Sequence, residues 1–119
     1  MSIPTAHTPL SACTLQALIS QLPDRVVIKD HTSTFIACNQ RFADDLGLAV
    51  DAISGKTDFD FFPPQLAARY QADDQRVIRN GESITVQEPG MFAGNPGWLE
   101  TSKSPIFDAA GQCIGLTVI

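Results

Sequence analysis

The chain is poor in the residues on which most enzyme and metal chemistry depends. It has two histidines, three cysteines and one tryptophan. His7 lies in a stretch rich in Pro and Thr and His31 in a turn-forming cluster, so both read as solvated side chains rather than general bases or ligands. Cys13, Cys38 and Cys113 are odd in number, far apart and each beside an apolar residue, which reads as reduced packing thiols and a cytoplasmic protein. No cysteine pair has metal spacing, and no Ser/His/Asp or Cys/His set can be assembled. Positive charge is also scarce. With 8 Lys and Arg against 13 Asp and Glu, the net charge is -5, and phosphate backbones or anionic lipid find little to attract them. Direct contact with nucleic acid or membrane is therefore not expected. Nowhere do about 18 apolar residues run together, and Met1 to Pro9 has neither a basic start nor an apolar run, so neither a spanning helix nor a secretory signal is expected. Gly90, Gly94 and Gly97 precede a strand without a following lysine and make no phosphate loop.

What is present is ordinary globular material. A length of 119 residues, 44% of them apolar and 18% charged, suits one domain with its own core. The densest stretch runs from Ser54 to Pro64, where Phe59, Phe61 and Phe62 meet Asp58 and Asp60 between Gly55 and Pro63-Pro64. Three rings are too apolar for the surface, and two carboxylates cannot be buried beside them without partners. The stretch reads either as a short connecting helix packing rings or as a wall facing a ligand.

Along the chain, residues 1–9 read as a flexible lead-in. Residues 10–22 form a short helix with Ser11 as N-cap, whose stripe of Leu15, Leu18, Ile19 and Leu22 packs on its own domain or against a second copy. From 23 to 119 the pattern is a single domain. Arg25 to Asp30 and Thr34 to Cys38 form a hairpin, and Asn39 caps a helix bearing Phe42 and Leu46 that Gly47 ends. A brief helical turn covers Asp51 to Ser54. Pro64 opens a longer helix to Arg79 with Leu66, Tyr70 and Val77 on one side and Asp73, Asp74 and Arg76 off it. Ser83 to Glu88 is a strand, Pro89 to Gly97 a loop, and Trp98 to Phe107 a long strand turning at Asp108–Gly111 into Cys113 to Ile119. Five antiparallel strands with helices on one face is α+β. An apolar last strand with no closing turn suggests a segment of a longer protein.

This order, with the words Val27-Ile28-Lys29-Asp30, Phe35-Ile36-Ala37-Cys38-Asn39, Gly55-Lys56-Thr57-Asp58-Phe59-Asp60-Phe61-Phe62-Pro63, Asn80-Gly81-Glu82, Trp98 to Ile106 and Asp108-Ala109-Ala110-Gly111, resembles the PAS family of sensor domains. The resemblance implies a sheet of order 2-1-5-4-3 with the last strand central, and a pocket between its inner face and the helices. It implies a non-catalytic sensory input module of a histidine kinase, diguanylate cyclase or transcription regulator, dimeric and joined to a C-terminal output domain. A ligand-free dimerisation module is the alternative. The pocket would draw on Phe42, Asp58, Phe59, Phe62 and Tyr70 from the helical side. Leu99, Thr101, Lys103 and Thr117 would come from the sheet.

Compared with the flavin-binding, light-sensing branch of that family, Asp58 stands where the reactive cysteine belongs and Thr117 where a glutamine contacts flavin. Covalent flavin chemistry is therefore not expected. The helix from Gln65 to Arg79 supplies no histidine for haem. Non-covalent flavin and a small organic ligand stay open, and no metal is expected. Strand alternation turns Leu99, Thr101, Lys103 and Pro105 inward and Trp98, Glu100 and Ser102 outward. A buried Lys103 needs a partner, for which Asp58 and Asp60 are the expected candidates; the alternative is contact with a carboxylate or phosphate ligand.

Overall fold

The computed structural model describes residues 12–92 and 94–119, so the lead-in 1–9 and the Ser11 cap lie outside the described residues. Helix α1 spans Ala12–Ser20, followed by strands β1 (Val27–Asp30) and β2 (Phe35–Cys38) and helix α2 (Gln40–Leu46). Two single 3-10 turns, Val50–Ala52 and Asp58–Asp60, lead to α3 (Pro64–Asn80). Strands β3 (Ile84–Phe92), β4 (Asn95–Phe107) and β5 (Cys113–Val118) complete the chain. The five strands pair antiparallel in the order β2-β1-β5-β4-β3, so the last strand lies at the centre.

Local chemistry explains these boundaries. At the β1–β2 turn the Asp30 carboxylate accepts from the backbone of Thr32 at 2.8 Å and of Thr34 at 3.1 Å. That closure holds Ser33 at φ 62°, an uncommon conformation for a residue with a side chain. Asn39 is wholly enclosed and uses every polar atom of its amide: Oδ1 accepts from Val26 and Phe42, and Nδ2 donates to the carbonyls of Ile19 and Asp24. One side chain thus caps α2 and ties the end of α1 to the sheet. Gly47 and Gly81 end α2 and α3 in the left-handed conformation that glycine accepts most readily. At Gly115 a Cβ would stand 2.2 Å from the backbone oxygen of Lys29, so only glycine lets β5 lie this close to β1.

The hairpin of β3 and β4 is longer than the sequence suggests. Residues 89–92 and 95–97, expected within a loop, instead continue the ladder through Pro89↔Trp98 and Met91↔Pro96. Proline is tolerated because β3 is the sheet edge, where a nitrogen can face away from the ladder. Pro89 is turned that way, since its carbonyl accepts from the Tyr70 hydroxyl. Pro96 lies in the part of β4 that outruns β5.

The main core is Val27, Phe35, Cys38, Ala43 and Ile53, with Phe42 tilted against Phe35 and Phe61 edge-on to it, at 5.8 and 5.7 Å between ring centres. Burial pushes the Cys38 thiol up to about 11, so it remains a protonated packing group. The stripe on the first helix divides: Ile19 is buried, whereas Leu15, Leu18 and Leu22 are exposed. Leu15 and Gln16 border an apolar groove on the outer face of the sheet, formed with Ile28, Ile36 and Ile114.

The aromatic stretch departs from expectation in one respect. Gly55 donates to the carbonyl of Phe35 at 2.8 Å and Lys56 accepts from its N–H at 2.9 Å, which anchors the stretch along the edge of β2. Thr57 and Asp60 then close a capping box, the Asp60 carboxylate accepting from the Thr57 N–H at 2.8 Å. This pitch points Phe62 inward and Phe61 onto Phe35, and leaves Phe59 52% exposed. Phe59 is therefore not a pocket residue.

Candidate ligand pocket

Between the inner face of the sheet and α2, the Asp58–Asp60 turn and α3 lies a cavity of about 160 Å³. Its apolar walls come from Val27 and Val118 of the sheet, Phe42 of α2, Phe62, Tyr70 of α3 and Leu99 of β4. Phe62 and Tyr70 meet edge to face at 5.1 Å. The polar lining is Asp58, Thr101, Lys29, Lys103 and Glu88 inside, with Asp24, Arg25, Asp45 and Glu100 also bordering the space. Arg25 donates to Asp45 through Nε and Nη2, one to each carboxylate oxygen.

Strand parity builds the floor. Along β4, Thr101 and Lys103 are buried while Glu100 and Ser102 are exposed. Trp98 is 70% exposed and is not part of the cavity wall. Along β5 the buried Leu116 and the pocket-lining Val118 take the inward places, so Thr117, opposite Ile28 in the ladder, belongs to the outer face and is not a pocket residue. Its assignment required the reverse parity, which the inward Val118 excludes.

Lys103 is 1% exposed, as its parity requires, but its partner is neither expected aspartate. Its ammonium donates to Asp74 Oδ1 at 3.0 Å and to the Tyr70 carbonyl at 3.3 Å, and lies 5.5 Å from the Tyr70 ring centre. Asp58 instead accepts from Lys29 at 2.8 Å. The same Lys29 donates to Asp74 Oδ2 at 2.7 Å, so the charges form a buried chain Asp58–Lys29–Asp74–Lys103 with no net charge. Asp60 is excluded because it is exposed and engaged in the cap. Asp74, expected on a solvated face, is fully enclosed: it lies among Ala67, Tyr70 and Val77 on the buried side of α3.

Two of these residues, Lys29 and Asp74, were not expected at the site. The signal for Lys29 is its period-2 spacing from Val27, hidden because Val26, Val27 and Ile28 read as one apolar run. That for Asp74 is its spacing of four from Tyr70 and three from Val77, which sets it on the same stripe. Burial pushes the Asp58 carboxyl above its ordinary range against the opposing pull of Lys29. Burial, helped by Glu88 and Asp58, also pushes the Tyr70 phenol up, so it stays a donor to Pro89.

The third unexpected residue is Glu88, which shares the inward column of β3 with Gly90 and is 5% exposed. The Thr101 hydroxyl donates to its carboxyl, and burial pushes its pKa up against the attraction of Lys103. Gly90 makes room beside it: a Cβ there would stand 2.2 Å from Leu99 Cδ1.

Residues 19–119 match the family described as the PAS fold, and the chain belongs to that family. The five-stranded order and the helices on the inner face are its architecture in this chain. In particular, the chain is 28% identical to VqmA of Vibrio cholerae, solved as a dimer without its target DNA, with a TM-score of 0.77 over 91% of this chain and 49% of that one. A structure of VqmA bound to DPO matches at 29% identity and a TM-score of 0.77, covering 90% of this chain and 56% of that chain. The PAS domain of BvgS from Bordetella pertussis shares the fold at 21% identity, with a TM-score of 0.74 over 87% of this chain and 79% of that one. Among curated proteins, the uncharacterized y4lL of Sinorhizobium fredii is 31% identical over 90 residues, which is 75% of this chain and 11% of that protein. The chain thus spans about half of VqmA and a small part of y4lL.

Proposed function

We propose that this chain is a sensory input module whose cavity binds a small organic molecule and whose sheet passes the occupancy on to a separate output domain. The carrying observation is the cavity itself, apolar on most sides, with a few convergent polar groups held rigidly at one end. That is the usual form of a small-molecule site. VqmA with DPO bound supports the reading. Its size, about 160 Å³, favours a molecule smaller than a flavin.

The ionic chain supplies a route for coupling. Asp74 of α3 grips Lys29 on β1 and Lys103 on β4, and these are the two neighbours of β5 in the sheet. A ligand that displaces α3 would therefore act on both sides of the central strand. No chemical step is part of this reading, because Asp58 and Asp74 are both tied to lysines. The module belongs to a cytoplasmic signalling protein whose output, a kinase, cyclase or DNA-binding domain, is carried by other residues. Native mass spectrometry of the expressed protein tests it. A bound small molecule in stoichiometric amount supports the reading, and a bare chain at every loading condition counts against it.

A second reading, dimerisation, is favoured by the exposure of Leu15, Leu18 and Leu22 beside the apolar outer groove. It is compatible with ligand binding, and VqmA has been solved as a dimer. Sedimentation of a variant with these three leucines changed to glutamine is expected to show a monomer. Undiminished dimerisation would assign the stripe no part in it.

A further inference from the structure

Among the described residues, Glu88 Oε2 is the only buried side-chain oxygen or nitrogen without a hydrogen-bond partner. Such atoms are rare in native structures because an unmade bond in a low dielectric is disfavoured. Packing alone would be better served by leucine, since Ile84, Val86 and Gly90 share the inward column of β3 with Glu88. Neither lysine that lines the cavity is free to turn toward it. Lys103 is held by Asp74 and the Tyr70 carbonyl, and Lys29 by Asp58 and Asp74. Thr101 supplies one donor to the carboxyl, and the residue borders the cavity.

The charge of the lining narrows what the remaining oxygen can meet. Inside the cavity Lys29 and Lys103 are already balanced by Asp58 and Asp74, and Glu88 adds an acidic group beside them, so an anion would meet no uncommitted lysine there. The size also matters: a volume of about 160 Å³ is close to that of a cavity known to hold one benzene ring. Phe42, Phe62 and Tyr70 offer ring faces and edges to a flat guest.

We propose that Glu88 is the ligand-orienting residue of the pocket: it selects a small, flat, uncharged or cationic molecule through an N–H or O–H donor bonded to Oε2, and it discriminates against anions. This rests on the ligand-binding reading of the same cavity.

Three ring probes separate the alternatives: indole, with an N–H; benzofuran, of the same shape with an oxygen in its place; and benzoate, an anion. Each is titrated into the 15N-labelled protein and its Glu88→Leu and Glu88→Gln variants. The wild type is expected to bind indole at least about tenfold tighter than benzofuran, the equivalent of one net hydrogen bond, and benzoate most weakly. Glu88→Leu should bring the indole-to-benzofuran ratio to about one while its melting temperature holds or rises, because the unpaired oxygen is gone. Glu88→Gln, whose amide oxygen still accepts, should keep most of the preference. Equal binding of indole and benzofuran to the wild type, or tightest binding of benzoate, overturns the role of Glu88 and leaves the ligand-binding reading standing. A Glu88→Leu protein that melts well below the wild type with an unchanged ratio makes Glu88 structural and also overturns it. If none of the three binds the wild type, the premise of a ring-sized site fails with the proposal.

Discussion

Asp74 of α3 and Lys103 of β4 meet at 3.0 Å with both side chains enclosed, a charged bond across the interior of the domain. Removing one partner of such a pair costs about 3 to 5 kcal/mol, because the other is left charged and unpaired. Lys103→Met is expected to lose that much in urea unfolding, and Asp74→Leu at least as much, since it strands Lys103 and leaves Lys29 only Asp58. Combined, the two changes should recover much of the loss, as the Lys29–Asp58 pair stays whole. Additive losses would show that the pair is not coupled.

The two aspartates of the aromatic stretch should behave differently despite their spacing of two. Asp58→Leu leaves Lys29 with one carboxylate for two lysines and is expected to cost about 3 kcal/mol or more. Asp60→Ala removes only the exposed cap on Thr57, which is worth about 0.5 to 2 kcal/mol. Chemical denaturation of both variants checks the order, and equal costs would contradict it.

Glu88 leaves a mark on the pH dependence of stability. Its folded pKa is raised above the ordinary 4.5, so the native state holds this proton more tightly than the unfolded chain does. Its contribution to stability is therefore fully present below about 4.5 and is lost as pH rises through the folded value. The stability of the wild type relative to Glu88→Gln should fall as pH is raised from about 4.5 toward neutrality. A difference that stays level across that range would mean Glu88 is not perturbed by its surroundings.

Gly90 keeps space for Leu99, and Gly90→Ala should press that side chain toward the cavity. The far end of leucine is flexible, so the expected stability loss is modest, about 1 to 3 kcal/mol. Affinity for ring-sized probes should fall more than stability, and unchanged probe binding would show that Leu99 moves elsewhere.

Much of the scaffold was legible because it rests on local, periodic signals. Asn39, Gly47 and Gly81 mark helix ends by their chemistry, and the alternation from Leu99 to Lys103 gives the inward face of β4 directly. The ion partners were not, because parity says which side a residue faces and not which charge from a distant element arrives there. Asp74 lies 29 residues before Lys103, and Lys29 lies 45 before Asp74. Phe59 misled for a related reason: a single 3-10 turn with a capping box changes the direction of each successive side chain, so neighbouring rings cannot share one face. Thr117 was placed by resemblance rather than by its own strand, whose alternation of Leu116 and Val118 opposes it.

The most direct test of the account is to map where small ring compounds perturb the backbone amide signals of the labelled protein. A ligand in the cavity should shift Phe42, Phe62, Tyr70, Leu99 and Thr101, and a Thr101→Trp variant that fills the space should lose those shifts while remaining folded. Perturbations confined to Ile28, Ile36 and Ile114 on the outer face, or an identical response in Thr101→Trp, would contradict the claim that this cavity is the site.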